Sequence, residues 1–345
     1  MKITKILVAL SFLFAVSTAH AGEMTVTGSM QATYQSEIDR TTGNPLGMDR
    51  EIKFEGSTEL DNGISMSVMQ DFDDAGAFGN AKITFGNVGG LVDIYVGTDG
   101  SELDAIDDIV PSAFEEANGS GSGSYQDIGG LADEMGIGFK ASLPILGTVS
   151  GQHVPKADAI ENADKNGSGT GNANETKGSG NELVIKTSLG DLPVIGSYLD
   201  GNTLTTGYAE EEMSSLANTS DRVELTAVLT GSIGNFSYGY QVESIQSGET
   251  AVSGAPSTDS IEYRVDTIGL AYAINDALSI SYNIMEQSQS AEAADSSFEQ
   301  ETDAINIGYT VGGLTIGFQD ASTDNANMVQ NVSDDTRTLS FKAAF

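Results

Sequence analysis

The sequence predicts an all-β chain, a transmembrane antiparallel β-barrel of sixteen strands. Three observations predict it. Apolar and polar side chains alternate in segment after segment along the chain. The connections between these segments alternate between short and long. The last segment, Thr336–Phe345, is two-faced and ends on an aromatic residue. Successive side chains of a strand point to opposite faces, so a barrel with lipid outside and water inside needs only every second residue to be apolar.

The chain opens with a positive stretch containing Lys2 and Lys5, an apolar run from Ile6 to Val16, and Ala19-His20-Ala21. This pattern predicts a secretory signal peptide, residues 1–21, cleaved before Gly22. The remaining 22–345 keep 13 Lys+Arg against 50 Asp+Glu, a formal charge of −37. That charge argues against nucleic acid as a partner and in favour of small cations. No apolar run approaches the ~20 residues of a membrane-spanning helix. Cysteine is absent, so an exported chain of this length needs another means of closure, which a hydrogen-bonded barrel supplies.

Taken in order, the first strand is Met24–Gln35, with Met24, Val26, Met30, Ala32 and Tyr34 on one face and Thr25, Thr27, Ser29, Gln31 and Thr33 on the other. Arg50–Leu60 and Ile64–Phe72 flank an Asp61-Asn62-Gly63 turn. Further pairs are Ala81–Gly86 with Leu91–Thr98, Gly136–Leu143 with Thr148–Val154, and Asn181–Ser188 with Val194–Asp200. Asp221–Thr230 pairs with Phe236–Ile245, Ile261–Ile274 with Leu278–Gln287, and Thr302–Val311 with Leu314–Asp320, before the final strand. In Ile261–Ile274 the apolar face switches parity between Val265 and Ile268, which predicts a bulge or a strand running past the membrane edge. Fourteen or eighteen strands also fit the weaker segments. Phe236, Tyr272, Tyr309 and Phe345 fall near one rim, and Tyr34, Phe72 and Tyr263 near the other, as two interfacial girdles.

The longest connection, Asp99–Met135, carries ten carboxylates and no Lys or Arg. Pro111 stops any helix that starts at Ser101. A charge run is often just a solvated surface, but Ile106, Ile109, Val110 and Phe114 equip this one to pack against a wall. Asp104, Asp107, Asp108, Glu115 and Glu116 are its candidate functional residues. Lys53, Lys82, Lys140, Lys186, Arg222, Arg264 and Lys342 fall on polar strand faces and are candidates to oppose them across a lumen. Lys53 also has Glu51 and Glu55 as neighbours. Pro155–Gly180 is Gly/Ser/Asn-rich and reads as a flexible loop. Its faint echo of a calcium loop fails where Ala173 stands in place of the closing Glu. No cofactor or metal site is indicated, and His153 has no nucleophile and acid set placed around it.

Three stretches carry a family resemblance. Phe54–Ile64, FEGSTELDNGI, resembles the FKGSEDLGNGL stretch of Gram-negative general porins. Leu91–Pro111, LVDIYVGTDGSELDAIDDIVP, resembles their fifth strand running into the third loop, and the strand ending on Phe345 is similar to theirs. The resemblance implies a trimeric 16-stranded barrel in outer-membrane lipid, with the third loop, about 99–135, folded into the lumen as a constriction. It departs from the family at Glu51, Glu55 and Thr98, where members often carry basic residues. The expected function is passive diffusion of small hydrophilic solutes, biased toward cations, with Phe345 as an assembly signal and no enzymatic activity. An outer-membrane phospholipase on a similar barrel is a formal enzymatic alternative. The structural alternative is a secreted acidic, Gly-rich β-protein, an adhesin or calcium-binding surface protein.

Overall fold

The computed structural model describes residues 22–37, 43–72, 78–98, 101–119, 121, 123–132, 135–155, 177–213, 221–246, 261–291 and 299–345. The expected signal peptide, the calcium-loop echo and most of the Gly/Ser/Asn-rich loop lie outside these residues. Sixteen strands close into one antiparallel barrel, each paired with its sequence neighbours and the last with the first. They are β1 Glu23–Glu37, β2 Leu46–Glu59, β3 Ser65–Phe72, β4 Phe78–Val88, β5 Val92–Gly97, β6 Gly136–Leu143, β7 Gly147–Val154 and β8 Lys177–Ser188. Then follow β9 Asn202–Met213, β10 Arg222–Ile233, β11 Phe236–Gln246, β12 Ile261–Ala273, β13 Leu278–Ala291, β14 Gln300–Val311, β15 Leu314–Asp324 and β16 Ser333–Ala344. No helix among the described residues is long and apolar enough to cross a membrane.

The barrel is inside-out relative to a water-soluble core. Met30, Tyr34, Ile52, Phe54, Leu229, Ile305, Ile307 and Phe341 are exposed on one face, while Gln241, Gln319, Asn306, Thr302 and Ser340 are buried on the other. Register keeps the two sets apart: Val26 faces Phe54, Leu229 faces Leu204 and Tyr240, and Ile316 faces Phe341. So large an exposed apolar belt marks a surface that meets something other than water. Closure runs along β1 and β16, which pair from Ser29 with Ala344 to Glu37 with Thr336, and the last residue adds to it. Phe345 and Gly28 exchange both backbone hydrogen bonds at 3.0 Å, and the Phe345 ring lies against Gly28, where a Cβ would collide with it. Closing the sheet removes the last free edge.

Four sequence expectations are corrected. Val194–Asp200 is not a strand: Pro193 and Gly196 break the alternation, and two short 3-10 turns, Leu189–Asp191 and Gly196–Tyr198, occupy the connection. The ninth strand is Asn202–Met213, placed by the sequence reading in a loop because only Leu204 and Tyr208 are large and apolar on its outer face. Of the two readings of β12 the bulge is absent, because register with both neighbours is unbroken; the strand instead continues past Ile268 with Asp266, Arg264 and Glu262 on its outer face. Val265 breaks the parity because it lies on the polar face, as does Tyr263, which therefore leaves the outer girdle. Several strands also run further than expected at the long-loop end. There Glu301, Asp303, Asp320 and Asp335 occupy the outer face, and the alternation that marks a strand disappears.

Candidate functional site

The segment between β5 and β6 packs against the polar face of β7 to β16. Apolar side chains make the first set of contacts. Leu103, Ile106 and Ile128 bury themselves with Val184, Ala209 and Ile245, with Ile109 and Tyr263 beside them. Ala117 and Tyr125 cluster with Val265, Met285, Ala304 and Ala321, and Leu131 packs on Val154. Val184, Ile245, Val265 and Met285 are aliphatic or thioether exceptions on an otherwise polar face, and they trace where the segment lies. Glycines complete the seat. Gly180 lies under Leu131, Gly207 under Leu103 and Ile106, Gly239 under Pro111, and Gly317 under the Phe114 ring. A side chain at any of these positions would occupy the space the segment fills, so the close approach itself requires glycine.

Polar contacts hold the same segment in two ways. At its stem, Glu182 accepts from the backbone N–H of Glu102 at 2.7 Å, from Ser101 Oγ at 2.9 Å and from the backbone N–H of Leu131 at 3.2 Å. One carboxylate thus ties both ends. Glu224 accepts from the Gly130 N–H at 2.7 Å while paired with Arg222. Further along, the anchors are mostly neutral, the exception being Asp334, which accepts from the Gly123 N–H at 3.3 Å. Asn283 donates to the Pro111 carbonyl at 3.0 Å, and Ser281 accepts from Ala113 N–H at 2.9 Å. Gln319 donates to the Glu116 carbonyl. Tyr125 donates to Thr302 at 2.8 Å, Gln287 accepts from Gln126 N–H at 2.7 Å, and Gln300 donates to Ser124 O at 3.0 Å.

The predicted acidic residues fall into two environments. Asp107, Asp108 and Glu116 come together with Asp127, and with Glu243 from β11. Burial, then Asp108, Asp104 and Asp127, push the Asp107 carboxyl up to about 7. Burial, then Asp108, Asp107 and Glu243, push Glu116 up to about 10. Burial also raises Asp127, with Asp108 adding to it. Glu115 stands apart. Burial raises it, Lys342 and a hydrogen bond from Gln31 work in the opposite direction, and Asp108 of the other group adds only the last contribution to the rise. Asp104 opens the short 3-10 turn Asp104–Ile106 and is exposed.

The predicted basic residues do not act as one ladder. Lys140 pairs with Glu102 of the segment at 3.1 Å. Lys342 lies on the polar face opposite Gln31 and Thr315, near Glu115. Arg222 is engaged by Glu224, and Lys53 stands 3.8 Å from Glu51. Lys82 lies 5.6 Å over the Tyr95 ring, and Lys186 sits on the polar face between Thr148 and Thr205. Arg264 is on the other face, 2.6 Å from Asp266 and beside Tyr240, so it is not part of this wall. The sequence reading missed Glu182, Glu224 and Glu243. Each looked like one more polar alternate on a strand; the aliphatic exceptions beside them were the available signal.

No family model and no curated protein matches the sequence. Solved structures do match. The trimer form of OmpT, an outer membrane protein of Vibrio cholerae, superposes with a TM-score of 0.67 at 10% identity, over 94% of this chain and 100% of that one. Salmonella typhi OmpF, in complex with daunomycin, gives 0.65 at 9% identity, over 94% and 98%. An anion-selective porin from Comamonas acidovorans gives 0.63 at 11% identity, over 94% and 100%. With sixteen strands in one closed antiparallel ring, this chain has the fold of the outer-membrane porins.

Proposed function

We propose that the chain is a water-filled passive diffusion channel of the bacterial outer membrane, for small hydrophilic solutes, with residues 99–135 lying in the lumen as its constriction. The observation that carries this reading is the footprint on the polar face. Glycine seats, aliphatic exceptions and buried carboxylates all coincide with contacts to that segment. An inward segment narrows the lumen, and size and charge are then the filters. The trimer form of the similar Vibrio cholerae protein supports a homotrimer here. The reading assigns no enzymatic step and no cofactor or metal.

The pore favours cations. Asp104, Asp107, Asp108 and Glu115 are set on the segment, with Asp127 and Glu243 close to them. Two unit charges ~4 Å apart interact by only about 1 kcal/mol in water. Low-dielectric walls and several like charges raise the local potential to several kT. Lys140 and Lys342 oppose it from the wall, but fewer bases than acids reach this level. The test is the reversal potential of single channels in a KCl gradient. K⁺ should pass more readily than Cl⁻, and Asp107→Asn with Asp108→Asn should reduce the preference. A wild-type channel that prefers anions refutes the bias. An unaltered double mutant would place the charge filter elsewhere.

A further inference from the structure

One five-residue pattern occurs twice: Leu143-Pro144-Ile145-Leu146-Gly147 and Leu192-Pro193-Val194-Ile195-Gly196. The two copies occupy the β6–β7 and β8–β9 connections, and β7 pairs with β8, so they are neighbours at the short-turn end. They fold alike. Leu146 N–H donates to Pro144 O at 2.9 Å, and Ile195 N–H donates to Pro193 O at 2.9 Å. The residue between has a positive φ in both, 73° at Ile145 and 75° at Val194. A β-branched residue in that region is strained, and a glycine would relieve it. Keeping aliphatic side chains there, twice, points to a use for the side chains.

Those side chains face outward. Val194 is 92% exposed, Tyr198 87% and Ile145 56%. The longer connection is nevertheless internally hydrogen-bonded. Gly196 N–H donates to Leu192 O, Tyr198 N–H to Ile195 O, and Leu199 N–H to Gly196 O, and Gly196 packs against the Gly190 backbone. Both turns are tied to the apolar face of the barrel. Thr187, on that face, donates to Leu146 O at 2.8 Å. Asn202 donates to Leu199 O at 3.2 Å and accepts from Tyr238 of β11 at 2.6 Å. Leu143 and Leu204 extend the exposed apolar belt to the edge of these turns.

We propose that the paired Leu-Pro turns form a membrane foot: Ile145, Leu146, Val194, Ile195 and Tyr198 lie in the phospholipid leaflet at the short-turn end and set the depth of this side of the barrel. This rests on the outer-membrane reading but not on channel activity. Continuity with the apolar belt favours lipid over a protein partner, and Asp191 and Asp200 on the same connection favour uncharged lipid headgroups.

The chain contains no tryptophan, so one introduced indole is the sole reporter. Tyr198→Trp replaces one exposed aromatic by another, and Leu146→Trp probes the second turn independently. Leu229→Trp marks the apolar belt, and Gln330→Trp, exposed in the β15–β16 connection, marks water. Each barrel is folded into phosphatidylcholine vesicles with brominated acyl chains, with folding checked by heat-modifiable gel mobility. The 198 and 146 reporters should lose most of their fluorescence, as at 229, and emit to the blue of the 330 reporter. If both behave like the 330 reporter while the 229 reporter is quenched, the foot is overturned and the turns become a water-exposed surface for a protein. If the 229 reporter also escapes quenching, the membrane reading falls and the foot with it.

Discussion

The segment between β5 and β6 is held at its stem by carboxylates and along its middle mostly by amides and hydroxyls, with Asp334 at Gly123 the one carboxylate among them. Glu182 and Glu224 receive four hydrogen bonds at the stem. Ser281, Asn283, Gln287, Gln300 and Gln319 hold the middle, mostly one bond each. A bond to a charged acceptor contributes about 1.5–3 kcal/mol and a neutral one about 0.5–1.5 kcal/mol. A few strong, titratable contacts therefore fix where the segment enters and leaves. Many weaker contacts, all but the Asp334 one neutral, fix its course between. Glu182 is the extreme case, because its removal frees both ends together.

The largest expected effect follows. Glu182→Leu removes three bonds to a charged acceptor, and the two from the N–H groups of Glu102 and Leu131 alone amount to about 3–6 kcal/mol. Gln287→Leu removes one neutral bond, about 1 kcal/mol. Thermal unfolding of the two variants should separate them clearly, with the Glu182 variant melting far lower and its single-channel current becoming noisy. Equal shifts would break the distinction between stem and middle.

Wedging the segment off its seat should matter next. Gly207→Val places methyls where Leu103 and Ile106 lie, and overpacking costs about 1–3 kcal/mol. Gly56, by comparison, has only Val68 at van der Waals distance, so Gly56→Val should be tolerated. Conductance is the readout. Gly207→Val should change it and Gly56→Val should not; the same response from both would deny that glycines on the polar face form a seat.

Much of the barrel was legible because lipid and water impose opposite demands on alternate residues, and every strand but β9 carries that imprint. It faded where the demand lapsed. Outside the belt, Glu301 and Asp303 made strand and loop look alike. In β9, Thr206 and Glu210 diluted the outer face, while the Leu-Pro turn before it imitated a strand. Val265 shows a different limit. Its parity break was visible, yet a bulge and a buried contact leave the same local trace, and only the Ala117–Tyr125 stretch, far away in sequence, distinguishes them. The acidic segment was legible as charge, but its partners Glu182, Glu224 and Glu243 were not, because register across strands, not sequence spacing, brings them there.

The smallest effect tests whether the charged cluster titrates while the neutral anchors hold. Asp107, pushed up to about 7 by burial and by Asp108, Asp104 and Asp127, changes charge between about pH 6 and about pH 8. Glu116, at about 10, stays neutral across that window. The cation preference should therefore fall modestly from pH 8 to pH 6, while conductance holds because the amide contacts of the middle do not titrate. Asp107→Asn should flatten the profile. The same shift makes a stability statement. A carboxyl whose folded pKa is raised binds its proton more tightly in the folded chain, so its contribution is fully present below the unfolded value and is lost as pH rises through about 7. Unfolding temperature should thus decline slightly from pH 6 to pH 8 in the wild type and less in the variant. Screening shortens to ~3 Å at 1 M salt, so the selectivity arm is measured at low salt. A wild-type reversal potential independent of pH would mean that Asp107 does not face the permeating ions.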